Sequence, residues 1–285
     1  MVSHCNLRCA YCDQWAPFWE RSFVSVEALH RDVERLAESV RLQEFKLLGG
    51  EPLLNPALLE LIDVVRRSKI AEVVSIVTNG VLLPRLPEAF WRAIDRLWLS
   101  LYPGVELQWT LDQVRARAEQ HGVELIVQDH IVHPFRLTNI NHEIEDAELV
   151  DAIYRHCRER EYCNTIHQGR FFKCTPAMTF ERRMGLLGID ARPHDADSVD
   201  LYDTDDLAPD IAAYLASLRP LRACSFCLGS LGKPVPATQA SPAELRQRLR
   251  QDHRRFRELL NEPLLRRIEP QLAHRVFDLD DVPPQ

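Results

Sequence analysis

No stretch of this chain is long and apolar enough to cross a membrane as a helix. The longest uncharged run, 73–84, is too short and is broken by Thr78-Asn79-Gly80. The N-terminus has no basic segment followed by an apolar one, so no signal peptide is visible. A concentrated basic face is also missing, and the net charge of −7 argues against nucleic acid as the main partner. The expectation is a cytoplasmic protein with no membrane partner and no nucleic-acid partner. Its eight cysteines then belong to a reducing compartment, where clusters are favoured over disulfides.

What is present is ordinary in bulk, 46% hydrophobic and 27% charged, and 285 residues are enough to bury a large core. Val26, Leu29, Val33, Leu36 and Val40 lie at helical spacing, and 43–48 then reads as a strand. The pattern continues with a helix over 58–65, a strand over 72–77, a helix over 88–95, a strand over 97–101, a helix over 111–120 and a strand over 123–127. Such alternation predicts an α/β fold with a parallel sheet and crossover helices, of the right period for a barrel. In barrels of this kind the working residues collect at the C-terminal ends of the strands.

Chemistry concentrates at cysteine. Cys5, Cys9 and Cys12 are spaced C-x3-C-x2-C, and three thiolates can hold three irons of a [4Fe–4S] cube while leaving the fourth iron open. A structural zinc site normally takes four protein ligands, yet no fourth cysteine or histidine follows Cys12 at short spacing. His4 adjoins Cys5 and is poorly placed to close a tetrahedron. Gly49-Gly50-Glu51-Pro52 follows the apolar run 45–48. Its glycines allow close backbone approach, its carboxylate and carbonyls accept from an ammonium, and its proline stiffens the turn. A second set, Cys163, Cys174, Cys224 and Cys227, combines C-x10-C with C-x2-C. Four thiolates match a fully ligated [4Fe–4S] cluster or a zinc ribbon, and the ten-residue gap is wide for a zinc knuckle.

The cysteine loop, with Tyr11 just before its last cysteine, and the G-G-E-P turn together resemble the radical S-adenosylmethionine (SAM) superfamily. The resemblance implies a partial (β/α)6 TIM-like barrel over 1–160 with a [4Fe–4S] cluster on Cys5, Cys9 and Cys12. Gly49, Gly50, Glu51 and Pro52 would receive the SAM ammonium, and Tyr11, Thr78, Asn79 and Ser100 would complete its site. Asn79-Gly80 also reads as a plain turn, and Tyr102 as either a substrate-facing aromatic or a strand terminator. Cys163, Gly169, Cys174, Cys224 and Cys227 are similar to the small C-terminal auxiliary-cluster (Twitch) domain of that superfamily, here 161–235. No cysteine follows Cys227, so one auxiliary cluster is the most this pattern completes. A C-terminal helical extension, 236–285, would open with a capping box at Ser241 and run as a helix to about Leu260, with a fraying tail over 278–285. One departure stands out: only four residues precede Cys5, so the first strand is curtailed to 1–4 or begins upstream of Met1.

Cys157 falls outside both sets, on an expected helix over 146–160, either as an inert buried thiol or as a hydrogen donor to a substrate radical. His130, His133 and His142 follow the fifth strand with Asp129 and Arg136, where a barrel presents a general base such as His130 or simply carries surface histidines. The glycine-spaced loop 228–234 lacks the spacing of a phosphate-binding loop.

By resemblance, the function is reductive cleavage of SAM to a 5′-deoxyadenosyl radical, with two [4Fe–4S] clusters and SAM as cofactors. Hydrogen abstraction from a small polyhydroxylated, sugar- or aminocyclitol-like substrate would lead to dehydrogenation or to epimerisation at a carbinol carbon. Flavodoxin or ferredoxin would supply the electron. Two alternatives stand beside it. One is a maturase of a ribosomally made peptide, for which a leader-binding domain is expected and no room is seen. The other is a two-cluster electron-transfer protein without SAM chemistry, against which the G-G-E-P turn argues.

Overall fold

A computed structural model describes residues 1–251 and 253–278. The expected tail over 278–285 lies outside the described residues after Asp278. The chain forms two compact units whose limits differ from the three spans read from the sequence. The first takes residues 1–134, 200–209 and 236–241, and the second takes 135–199, 210–235 and 242–285.

In the first unit four strands, β1 (Leu42–Leu47), β2 (Ala71–Thr78), β3 (Arg96–Leu101) and β4 (Glu124–Asp129), form one parallel sheet in sequence order. The α/β parallel architecture is that of a partial barrel, and four of its six expected strands make up the continuous sheet. Helix α1 (Val26–Ala37) leads into β1, and α2 (Leu58–Ser68), α3 (Glu88–Ala93) and α4 (Leu111–Gln120) connect the successive strands. Ser25 caps α1 by accepting from the Ala28 amide, and Leu29, Val33 and Leu36 make its buried stripe. Thr110 and Gln113 close a reciprocal capping box on α4.

The strand register sorts side chains on one face of the sheet into levels. Lys46, Ser75, Arg96 and Glu124 share the lowest, Val77, Trp98 and Ile126 the next, and Ser100 pairs with Gln128 above them. The charges of the lowest level are paired: Arg96 pairs with Glu124 at 2.7 Å and with Glu44 at 3.1 Å, while Trp98 donates to Glu44 at 2.7 Å. Lys46 lies 3.8 Å from the centre of the Trp98 ring.

Residues 1–4 form no regular strand and pair only through isolated contacts. The Met1 amino group donates to Leu48 O at 3.0 Å and the Gly50 amide to Val2 O at 2.8 Å, so residues 1–4 run beside the G-G-E-P turn. On its other side Val2 forms an antiparallel bridge with Phe23. Two later segments return to this unit. Arg35 of α1 donates to the carbonyls of Leu201 and Thr204, and 238–240 lies against 8–10 through Ala10 N to Thr238 O (2.9 Å) and Ala240 N to Arg8 O (2.7 Å).

The second unit is built on α5 (Ala147–Arg155), whose Leu149, Ala152, Ile153 and Tyr154 are buried. The helix expected over 146–160 breaks at His156, and a single further turn, α6 (Glu159–Tyr162), follows. A hairpin of β5 (Thr165–His167) and β6 (Arg170–Phe172) turns at Gln168 and Gly169, both at positive φ. It leads through Cys174 into α7 (Thr175–Leu187). Toward the C-terminus, the helix expected from Ser241 to about Leu260 is instead α9 (Pro242–Leu249), with a separate tight turn at Phe256–Leu259. The helix α8 (Leu207–Ala216) precedes it, and α10 (Glu262–Ile268) and α11 (Pro270–Phe277) close the described chain. The long helix is interrupted where buried His253 accepts from the Asn141 amide at 2.7 Å, a tertiary contact that helical periodicity does not register. Among the described residues no helix is long and apolar enough to cross a membrane.

Candidate active site and second cysteine site

The G-G-E-P turn meets the cysteine loop with no room to spare. A Cβ on Gly50 would lie 1.9 Å from His4 O, and one on Gly49 would lie 2.6 Å from Val2 O. Glycine is therefore required at both positions for the backbones to touch. Glu51 is 1% exposed and its carboxylate accepts from the Leu53 amide (3.1 Å), Thr78 Oγ1 (2.7 Å) and the Asn79 amide (2.9 Å). Burial pushes this carboxyl up to about 7 in spite of those three donors. Pro52 is buried and opens the next turn. Glu51 thus ties the end of β1 to the end of β2.

Asn79 carries that tie into the cysteine loop, its Nδ2 donating to Asn6 Oδ1 at 2.7 Å and approaching Cys5 Sγ at 3.7 Å. Asn79-Gly80 forms a turn, with Gly80 at φ of +77°, and the Asn79 side-chain amide faces the cysteine loop. At the ends of β3 and β4 Ser100 donates to Gln128 at 3.1 Å. The Tyr102 and His130 rings stack there with centroids 5.0 Å apart, and the three cysteines help raise the Tyr102 phenol beyond what burial does.

Cys5, Cys9 and Cys12 bracket half-buried Tyr11. Burial pushes the Cys5 thiol up to about 12 and the Cys12 thiol up to about 11, and each is raised further by its neighbouring cysteines. Three thiols, Cys9 buried and Cys5 and Cys12 half-buried, that repel one another as anions fit ligation to cationic iron, which would stabilise the thiolates together. Among the described residues no three His, Cys, Asp or Glu side chains close on a single ion. A cube differs in this respect, because it spreads its cysteine ligands over separate irons. Two anchors of this loop escaped the sequence reading. Trp15, 1% exposed, follows Cys12 and donates its amide to the Cys12 carbonyl at 3.0 Å. Gln239 donates to Cys9 Sγ at 3.3 Å. An Ala-x-Gln-Ala-Ser stretch bears no signal that would have singled it out.

The expected histidines divide between the two units. His130 shares the first unit with exposed His133, whose carbonyl lies 3.3 Å from His130 Nδ1. His142 belongs to the second unit and stacks on Phe256. Asp129 is used by its own turn, accepting from the Ile131 and Val132 amides, and Arg136 donates to Ser230 O.

In the second unit a cavity is lined by Cys157, Cys174, Cys224 and Cys227. The cavity groups the cysteines differently from the sequence reading in two respects. Cys157, taken as the thiol outside both sets, sits just past the end of α5 and points into the cavity because the helix breaks there. Cys163, taken as a ligand, does not line the cavity and donates instead to Glu159 Oε2 at 2.7 Å. Gly229 gives Cys157 its room, since a Cβ there would lie 3.1 Å from the Cys157 sulfur. Burial raises the Cys174 and Cys227 thiols well above the ordinary range, with Cys157 and Cys224 adding to the rise.

The cations here are as telling as the thiols. Lys173 is 2% exposed, and its ammonium donates to neutral oxygens, Tyr154 Oη at 2.6 Å and Ser217 O at 2.8 Å. Arg160 lines the cavity with its Nε buried and unpartnered. Arg160 also pairs with Glu161 at 3.8 Å, whereas the buried Lys173 ammonium, set on neutral oxygens, fits an anionic group held between the four sulfurs.

Residues 1–106 match the radical SAM superfamily, and this span holds Cys5, Cys9, Cys12, the G-G-E-P turn, Thr78, Asn79 and Ser100. The first part of the chain is a radical SAM domain, and a domain of this family implies a [4Fe–4S] cluster and SAM. Curated relatives include the GTP 3′,8-cyclase of Chlorobaculum tepidum, 36% identical over 103 residues, covering 35% of this chain and 31% of the relative. The GTP 3′,8-cyclase of Clostridium perfringens is 30% identical over 189 residues, covering 61% and 56%. The chain spans about a third of the length of the first three curated relatives it matches. Among solved structures, BtrN in complex with AdoMet and 2-DOIA aligns over 76% of this chain and 79% of that one, at 15% identity and a TM-score of 0.43.

Proposed function

We propose that this chain is a two-cluster radical SAM enzyme that oxidises a carbinol carbon of a small polyhydroxylated, sugar- or aminocyclitol-like substrate. The observation that carries the reading is the junction of the cysteine loop with the polar strand ends, where Asn79 reaches Asn6 and Cys5 while its amide is held by Glu51. Cys5, Cys9 and Cys12 would hold the first cluster, and Gly49 to Pro52, Thr78, Asn79, Ser100 and Tyr11 the SAM. When bound, these cofactors supply a hydrogen-abstracting 5′-deoxyadenosyl radical.

The chain's own residues then orient substrate and move one proton. His130 Nδ1 faces the His133 carbonyl, so that nitrogen carries the hydrogen and Nε2 is the basic one. Burial lowers the His130 pKa and keeps the ring neutral, which suits it to take the proton of a substrate hydroxyl. Cys157, Cys174, Cys224 and Cys227 would hold a second [4Fe–4S] cluster that accepts the remaining electron. Dehydrogenation is favoured over epimerisation because Cys157, the expected hydrogen donor, lies among the other three thiols. A reductant of the flavodoxin or ferredoxin type and a cytoplasmic, reducing setting complete the proposal.

The test is anaerobic reconstitution followed by measurement of 5′-deoxyadenosine from SAM under dithionite. A panel of aminocyclitols and sugars is run beside GTP, the substrate in the relatives' name. Deoxyadenosine formation stimulated by an aminocyclitol, with a ketone product, supports the proposal. Stimulation by GTP alone shifts the substrate class to nucleotides, and no SAM cleavage overturns the radical reading.

A further inference from the structure

Gln239 lies 230 residues from Cys9 in sequence, in the segment 236–241 that returns to the first unit. Its side chain is clamped at both ends. Oε1 accepts from the Arg8 amide at 2.7 Å, and Nε2 donates to Cys9 Sγ at 3.3 Å. The Arg8 N–H can only donate, so the amide oxygen is fixed on that side and the NH2 group must face the sulfur. The backbone is held too, by an antiparallel bridge between Cys9 and Gln239 and by the flanking bonds of Ala10 with Thr238 and Ala240 with Arg8.

An N–H···S bond to a ligating sulfur withdraws electron density from the thiolate, and it strengthens as the cluster gains negative charge. Such a bond therefore favours the reduced form.

We propose that Gln239 is a positioning and tuning residue for the first cluster: it fixes the Cys9 sulfur and raises the reduction potential of the cluster that Cys9 helps to hold. The inference rests on the radical SAM reading above. It links the ease with which the enzyme is primed by its reductant to a segment far downstream of the cluster loop.

The test is an EPR-monitored redox titration of the reconstituted full-length protein, following the signal that disappears in a Cys5→Ala/Cys9→Ala/Cys12→Ala variant. Absence of such a signal in the wild type would sink the cluster reading itself, separately from the role of Gln239. Two variants address the inference. Gln239→Leu removes both contacts. Gln239→Glu keeps the acceptor for Arg8 but presents an oxygen to the sulfur, so the loop stays anchored while the donor is lost. The expected result is a midpoint potential more negative than wild type in both, with iron retained in Gln239→Glu. Midpoints equal to wild type in both variants would overturn the proposal.

Discussion

Replacing Gly50 by Ala tests whether the contact between the G-G-E-P turn and the N-terminal segment organises the site. The new Cβ would lie 1.9 Å from the His4 carbonyl oxygen and 2.3 Å from its carbon, and both are backbone atoms. No rotamer relieves that overlap, so residues 2–4 must move by more than an ångström. The displacement breaks Gly50 N to Val2 O (2.8 Å) and Glu51 N to His4 O (3.0 Å). Each such bond contributes about 1 kcal/mol net, and strain adds to it, so the loss is about 2–4 kcal/mol. Against a total stability of about 5–15 kcal/mol this leaves a folded but weakened protein. The apo protein's melting midpoint should fall by roughly 5–15 °C, and iron at the first site should be largely lost because Cys5 is carried along. Gly185→Ala in α7 is the control, since its Cβ meets nothing within 4 Å and should stabilise by about 0.5–1 kcal/mol. Wild-type melting and iron content in Gly50→Ala would refute the reasoning.

Glu51 makes the apo protein's stability pH-dependent. Its folded pKa of about 7 lies above the unfolded 4.5, so the folded state binds the proton more tightly and stability falls as pH rises from 4.5 through 7. The fall approaches about 3 kcal/mol, and urea melts across that range should show the slope in wild type and not in Glu51→Gln. His130→Gln should lower kcat by about 10²–10⁴-fold while leaving substrate KM little changed. In wild type the acid limb of kcat/KM should lie below the ordinary histidine pKa, because burial depresses His130. Lys173→Met removes a buried cation beside Cys174, and the potential of the second cluster should move to more negative values in a redox titration.

Legibility in the sequence followed the range of the interactions involved. The strand and helix alternation of the first unit is local periodicity, and the parallel sheet in sequence order follows from it. Cys5, Cys9, Cys12 and the G-G-E-P turn were legible because their spacing is itself the chemistry. The place of Cys157 was not legible because helical periodicity continues through His156, whereas the chain breaks there to place a sulfur against Gly229, a contact between residues 72 positions apart. Cys163 looked the better ligand by spacing alone, and nothing local reveals that its thiol is engaged by Glu159. Gln239 and the return of 236–241 to the first unit were hidden for the same reason. The long C-terminal helix failed where a buried histidine and an asparagine amide outweigh helical propensity.

Iron content of single cysteine variants tests the central assignment most directly. In a Cys5→Ala/Cys9→Ala/Cys12→Ala background the reconstituted protein should retain about four irons, those of one four-iron cluster. Adding Cys157→Ala should abolish that iron together with its absorption near the visible range, whereas adding Cys163→Ala should leave both intact. Loss of the cluster with Cys163→Ala and its survival in Cys157→Ala would contradict the account.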